Sequence, residues 1–373
     1  MKSRFHKNSL LDDCRFFRGD IPCKPHKQYG VHCIDVQGKT CAHYLPHKEN
    51  FLIIKLGAIG DVIRTTPLLH ILKKKFPCAK IWWLTLTPEV VPSSADVVLK
   101  WNTESLAALH GITFDRIYNY DKDREACGLA TTLVAKKKFG FVLKKGIPSQ
   151  ANKFAEAKFL TGVFDDCNQS NTKSYPEELF EIAGEQFNGE KYILDNFASG
   201  NYQWKLPKNK IIIGLNTGCG GRWVSRLWPN EFWIRLAKQL KKEGYFPLFL
   251  GGEQEHEKNL FLSKKSGAIY LGHFPLKQFI NLVDQCTLVV TSVTMAMHIT
   301  IALEKKIVLF NNIFNKHEFE LYGLGELLEP DFDCPCFFTP VCPNNCMQYL
   351  SVEKVLESIH RIVPLKPGAQ KRL

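Results

Sequence analysis

The 373-residue chain has no uninterrupted run of roughly 18 or more apolar residues, so a transmembrane helix is not expected. The nearest stretch, "LVVTSVTMAMHITIAL", is broken by Ser292, Thr294 and His298 and reads as a buried strand followed by a helix. No apolar block follows the basic start "MKSRFHKNSLLDDCRFF", so no signal peptide is expected either. Zinc-finger spacing, an aromatic ribonucleoprotein motif and a basic helix are all missing, which removes nucleic acid from the expected partners. The thirteen cysteines are an odd number without an export signal, so a disulfide framework is not expected. What remains is a chain expected in the cytoplasm. Its composition, 45% hydrophobic and 23% charged, is globular, and its length suffices for two domains with separate cores.

Lys and Arg number 49 against 37 acidic residues, a net charge of +12. That balance favours anionic partners such as phosphates or an acidic membrane surface. The charge falls in short clusters, Lys73–Lys75, Lys136–Lys138, Lys144–Lys145 and Lys264–Lys265, mostly where helices are expected to end. A solvated helix terminus explains such clusters without a ligand.

Residues 1–48 are rich in Cys, His, Lys and Pro and lack periodicity, so they read as an irregular extension. From Phe51 strands and helices alternate: "FLIIK", then "PLLHILKKKF" with Pro67 at its first position and Thr66 as cap. "KIWWLTL", "FDRIYNY" and "FGFVL" continue as strands, with "REACGLATTLVAKK" as a helix before the last. A helix is expected at "PEELFEIAG" and a polar linker at "NFASGNYQWKLPKNK". The alternation restarts at "KIIIGLN", and the helix "NEFWIRLAKQLKKEG" follows, with Phe232, Leu236 and Leu240 on one stripe and Gly244 as its stop. This alternation implies an α/β fold with parallel sheets and right-handed crossovers. The expected division is an extension over 1–48, a first unit over 49–200 and a second over 201–373.

Two turns attract chemistry. In "KLGAIGDVIRTTPLL" the carboxylate of Asp61 follows Gly57 and Gly60, directly after a strand. A helix cap is the plain role for Asp61, and Thr65 and Thr66 compete for that role. In "LNTGCGGRWVSRLWP" the glycines leave backbone N–H groups able to face phosphate, with Arg222 and Arg226 close by.

These segments carry a resemblance. "FLIIKLGAIGDVIRTTPLL", "LNTGCGGRWVSRLWPNEFWIRLAKQL", "LFLGGEQEHE" and "CPCFFTPVCPNNCMQYLSVEKV" resemble, in order, segments of the ADP-heptose:lipopolysaccharide heptosyltransferases, from about residue 51 to 360. The resemblance implies a GT-B fold, two Rossmann-like domains facing a cleft. It implies inverting, metal-independent transfer of a sugar from a nucleotide diphosphate to an acceptor hydroxyl, with no cofactor required for catalysis. It makes Asp61 the general base and Gly57 and Gly60 part of the acceptor turn. Thr217, Gly218, Gly220, Gly221, Arg222, Arg226, Glu255, Thr294 and His298 become the donor site, with Arg226 where a lysine is common. One departure is plain: Val293-Thr294-Met295 stands where many members have Asp-Ser/Thr-Gly. The implied partners are an ADP-heptose-like donor and an anionic glycolipid or glycan acceptor, met at the cytoplasmic membrane face. A sugar-nucleotide epimerase of the same fold and a catalytically idle metal-bearing binding protein are the rival expectations.

Cys334, Cys336, Cys342 and Cys346 are spaced C-x-C-x5-C-x3-C, and Cys14, Cys23, Cys33 and Cys41 are interleaved with His26, His32 and His43. Either set suits a structural zinc or iron–sulfur centre. Neither contains a C-x2-C pair. The extension is favoured, because its few large apolar groups leave a metal to order it.

Overall fold

The computed structural model describes residues 10–195 and 202–365, so the start of the expected linker, 196–201, lies outside the described residues. The chain forms two compact units. In the first, β1 (Glu49–Ile54), β2 (Ala79–Thr85), β3 (Val97–Lys100), β4 (Phe114–Asn119), β5 (Ala135–Lys144) and β6 (Ile147–Gln150) form one sheet in the order β3-β2-β1-β4-β5-β6. All pairs are parallel except β5 with β6. Phe51 to Ile54 are all buried, as an apolar run covered on both faces requires. The expected helix from Arg124 stops at Thr132, and Ala135 already pairs with Phe114. Pairing with β4 thus overrides a lysine-rich segment that also suits a helix. The β5–β6 hairpin was not expected; its two-residue turn has Lys145 and Gly146 at φ 53° and 74°, where glycine is tolerated best. At the carboxyl ends of β1 and β4, Lys55 and the Leu56 N–H both donate to Asp121, and the ion pair is buried.

The second unit contains β7 (Ile212–Asn216), β8 (Phe246–Leu250), β9 (Ile269–Tyr270), β10 (Leu288–Ser292), β11 (Lys306–Phe310) and β12 (Gly325–Leu328), all parallel, in the order β9-β8-β7-β10-β11-β12. Both sheets therefore share one winding order, with the direction reversing beside their first strand. In open α/β sheets ligands sit at the strand carboxyl ends at that reversal. Here that point lies between β7 and β10. The Asn230–Glu243 helix buries Trp233, Ile234, Leu236, Ala237 and Leu240 and ends at Gly244, a wider stripe than expected. Trp233 packs edge-on to Trp228 at 4.9 Å between centroids, and Trp228 lies 5.2 Å from Phe310.

The units do not follow the expected boundaries. The extension belongs to the first unit, while residues 57–67 and 157–181 belong to the second. The cause is close packing between the helices Ile59–Thr65 and Met295–Ala302. A Cβ on Gly60 would come within 2.3 Å of His298 Cδ2, so only glycine lets the helices meet this closely. Among the described residues, no helix is long and apolar enough to cross a membrane.

Candidate functional site

The second unit holds a cavity of about 730 Å³ at the carboxyl ends of β7 and β10, within the size range of small-molecule sites. Its lining includes Gly60, Asp61, Gly218, Gly220, Arg226, Glu255, Thr294 and His298, residues spread over more than 200 positions of sequence and here brought together. Val293 and Met295 line it as well. Arg222 lies outside this lining; it is exposed, with its guanidinium 5.3 Å from the Trp223 ring centre. Gly57, Thr217 and Gly221 are also outside this lining.

Asp61 sits in a helix first turn rather than a flexible turn, in the Ile59–Thr65 helix that was not expected. One carboxylate oxygen accepts the Ala58 N–H at 3.0 Å, so the capping role is real. The other meets Arg64 at 2.7 Å. Thr66, the expected cap, instead donates to the Ile63 carbonyl and accepts from the Ile193 N–H. Arg64 also bonds Glu318 at 2.8 Å and lies 3.3 Å from the Tyr175 ring centre. Burial opposes its charge, but Asp61, Tyr175 and Glu318 together hold the guanidinium above its ordinary pKa. One cation is thus shared by two carboxylates, which leaves this edge of the cavity with net negative charge.

His298 faces the same region from the Met295–Ala302 helix. Burial, with help from Arg64, pushes its pKa down to about 3 against the pull of Asp61, so the ring is neutral. Its Nδ1 is buried without a hydrogen-bond partner among the described residues, as is the Arg226 Nε. With Arg64 Nε, three orphaned polar atoms belong to residues lining one cavity, as fits a site completed by a ligand.

The loop after β7 is pinned by the His256–Ser266 helix. Thr217 bonds Asn259 at 2.6 Å, and Lys258 donates to the Thr217 carbonyl at 2.9 Å. Gly218 lies against Glu255, whose carboxyl carbon a Cβ there would meet at 2.2 Å. Glu255 caps its own turn by accepting the Gly252 N–H at 2.9 Å. Arg226 is buried, and burial lowers its pKa, opposed by Cys219. It donates to the carbonyls of Cys219, at 2.8 Å, and Val293. The departure at 293 therefore leaves a role for the backbone there: its carbonyl anchors the buried cation. Thr294 Oγ1 stands 3.1 Å from Thr291 Oγ1, and Asn216 donates to both threonines, tying β7 to β10.

Sequence reasoning missed Asn216, Lys258, Glu318 and the aromatic group Trp223, Phe314 and Phe338 beside the loop. Asn216 is the polar residue ending "KIIIGLN", a signal that was available. Nothing local marks Glu318.

The tail cysteines lie behind this loop. Cys334, Cys342 and Cys346 place their sulfurs within 4.8 Å of one another, and Cys334 and Cys342 stand 3.5 Å apart. A tetrahedral thiolate site with metal–sulfur bonds of about 2.3 Å has sulfurs about 3.8 Å apart, so the trio fits an ion. Asn312 donates to Cys346 Sγ at 3.2 Å and to the Ser225 carbonyl at 2.8 Å, joining the cluster to the residue before Arg226. Among the described residues this trio alone brings three metal-ligating atoms within 4.8 Å of one another.

The profile of glycosyltransferase family 9 (heptosyltransferase) matches residues 108–318. Lipopolysaccharide heptosyltransferase 2 of Salmonella typhimurium is 25% identical over 185 residues, 48% of this chain and 47% of that protein. The matched part thus spans about half the length of this curated relative. The solved ADP-heptose lipopolysaccharide heptosyltransferase II of E. coli aligns at 16% identity and TM-score 0.60, covering 84% of this chain and 98% of that one. The iron-containing dodecameric glycosyltransferase TibC of enterotoxigenic E. coli aligns at 13% identity and TM-score 0.53, covering 93% and 81%. At these identities the solved structures establish the fold: two Rossmann-like α/β units of the GT-B kind.

Proposed function

Because the chain belongs to glycosyltransferase family 9, the heptosyltransferase family, we propose that it moves a heptose-like sugar from an ADP-linked donor to a hydroxyl of a lipopolysaccharide-core or related glycan. The observation that supports this most is the cavity that gathers Asp61, Arg226 and His298 at the switch point of the second sheet. The curated relative is a lipopolysaccharide heptosyltransferase, and the E. coli neighbour takes ADP-heptose, which supports the same donor class here.

The step is a single displacement. The acceptor oxygen attacks the anomeric carbon from the face opposite the nucleotide, while its proton passes to an Asp61 carboxylate oxygen. The bond from that carbon to the phosphate oxygen breaks, and its electron pair leaves on the diphosphate, so configuration inverts. A sugar hydroxyl is a weak nucleophile, and a placed carboxylate contributes about 10²–10⁴-fold in rate. The diphosphate gathers charge as it leaves. Arg226 and the N–H groups of the 218–221 loop supply the stabilising field, stronger in a partly buried site than in water. Neutral His298 offers Nδ1 to a donor hydroxyl or phosphate without adding charge.

The tail cysteines hold a structural metal in this proposal, with Cys336 as fourth thiol. The fit of the trio supports it, as does an iron-containing structural neighbour. The acceptor is met at a membrane surface, which the net positive charge favours. Asp61→Asn tests the catalytic assignment: turnover falls at least 100-fold while donor affinity is kept. Near-normal turnover of the purified variant sinks the general-base role and leaves Asp61 as a cap.

A further inference from the structure

The extension is ordered without the usual means. Its described part contains the Lys24–Tyr29 helix and two isolated bridges, Cys14 with Pro46 and Ile34 with Thr40. Yet among its described residues only Pro25 is buried, and its cysteines are free of disulfides. Below about 40 residues a segment with so little core usually needs disulfides, a metal or a partner surface. A surface supplies part of this order: Arg15 donates to the Ala79 carbonyl at 2.9 Å and lies 3.5 Å from Asp96. At the other end the Lys48 N–H donates to the Cys78 carbonyl at 3.0 Å, which leaves the turns between to be ordered by other means.

Three separate turns bring four thiols to one place. Cys14 sits in a turn in which the Phe17 N–H donates to the Cys14 carbonyl at 2.8 Å. Cys23 precedes the helix and accepts the Lys27 N–H at 3.0 Å. Cys33 and Cys41 face each other at the base of a hairpin, where the Cys41 N–H donates to the Cys33 carbonyl at 2.8 Å. All four cysteines line one cavity of about 20 Å³. The His43 N–H donates to the Cys41 sulfur at 3.4 Å.

We propose that Cys14, Cys23, Cys33 and Cys41 bind one divalent transition-metal ion, a site separate from the tail cluster. The cavity decides the nuclearity: about 20 Å³ is close to the volume of a single water-sized body, enough for one ion but not for a multi-iron cluster. The donor type decides the class, because four soft thiolates select zinc or ferrous iron over magnesium or calcium. His32 and His43 line the same cavity beside the four thiols. His26 Nδ1 lies 2.9 Å from the Val31 carbonyl, and the His43 ring stacks on Tyr29 at 4.9 Å. The sulfurs do not meet the spacing of the tail trio, so binding draws them inward and tightens the extension.

The test uses the full chain, purified without oxygen, and counts metal per chain. Two ions are expected when both sites are filled, and Cys23→Ser with Cys33→Ser removes one while Cys342→Ser with Cys346→Ser leaves the extension's ion in place. A wild type holding one ion that the extension variant abolishes supports this site and refutes the tail metal. An extension variant that keeps the wild-type metal content overturns the proposal. Maleimide labelling of the wild type gives a second readout that needs no variant. The four extension thiols are expected to react at least tenfold faster after dialysis against a chelator. Equal rates before and after chelation overturn the site.

Discussion

Replacing Gly60 by alanine sets two known effects against each other. Alanine in a helix interior is normally worth up to about 1 kcal/mol over glycine, an upper bound for Gly60, which stands in the first turn. Here the new Cβ stands 2.3 Å from His298 Cδ2, whereas ordinary contact begins at 3.4 Å, so the helices must part by 3.4 − 2.3 = 1.1 Å. The ring cannot yield easily, since His298 is 6% exposed. Overpacking of this kind costs about 1–3 kcal/mol, so the loss outweighs the helix gain. Asp61, the proposed base, is the next residue, and a displacement near 1 Å at reacting groups costs on the order of 100-fold in rate. Gly60→Ala is therefore expected to lower the melting temperature modestly and turnover by about two orders of magnitude. Adding His298→Ala removes the clash and recovers stability in a double-mutant cycle. Wild-type turnover and stability in Gly60→Ala alone would refute the steric account.

Other expectations follow from the same site. Arg226→Ala weakens nucleotide diphosphate binding by about 2 kcal/mol by calorimetric titration, and unchanged affinity moves the phosphate cation to Arg222. His298 has a native pKa of about 3 against 6.5 when exposed, so the unfolded chain binds the extra proton between those values. The stability from its neutral burial is present above pH 6.5 and is lost as pH falls toward 3; His298→Gln should flatten that part of the stability–pH curve. Val293→Asp restores an acceptor at the donor turn and is expected to tighten ADP-heptose binding by on the order of 1 kcal/mol. Tight wild-type binding of a UDP- or GDP-sugar, with none of ADP-heptose, would refute the donor assignment.

Much of this arrangement is legible before any coordinates. The apolar runs "FLII", "IIIGLN" and "LVVTS" announce buried parallel strands, and the turns after the first two announce the ligand-facing loops. Legibility fails where distant contacts decide. The helix carrying Asp61 is short and holds two glycine-flanked residues that local preference assigns to a turn; packing on the His298 helix makes it regular. Glu318 gives no local sign, because its role exists only through Arg64, 254 positions away. The tail cysteines look weaker than the extension's by spacing alone. Their place is fixed by long-range anchors, the Ser225 hydroxyl to the Thr339 carbonyl and the Ser225 N–H to the Pro340 carbonyl, that no spacing encodes.

The passage of residues 57–67 into the second unit, between strands of the first, bears on how this enzyme class is recombined. A hybrid spliced near residue 200 would take Gly60, Asp61 and Arg64 from one parent and His298 and Glu318 from the other. The second unit of one parent would then arrive with an Asp61 helix shaped for a different histidine. Exchanging the 57–67 segment together with the second unit keeps the 2.7 Å Asp61–Arg64 pair, the Glu318 contact and the glycine–histidine fit from a single source. Hybrids built that way should retain turnover that a single cut forfeits.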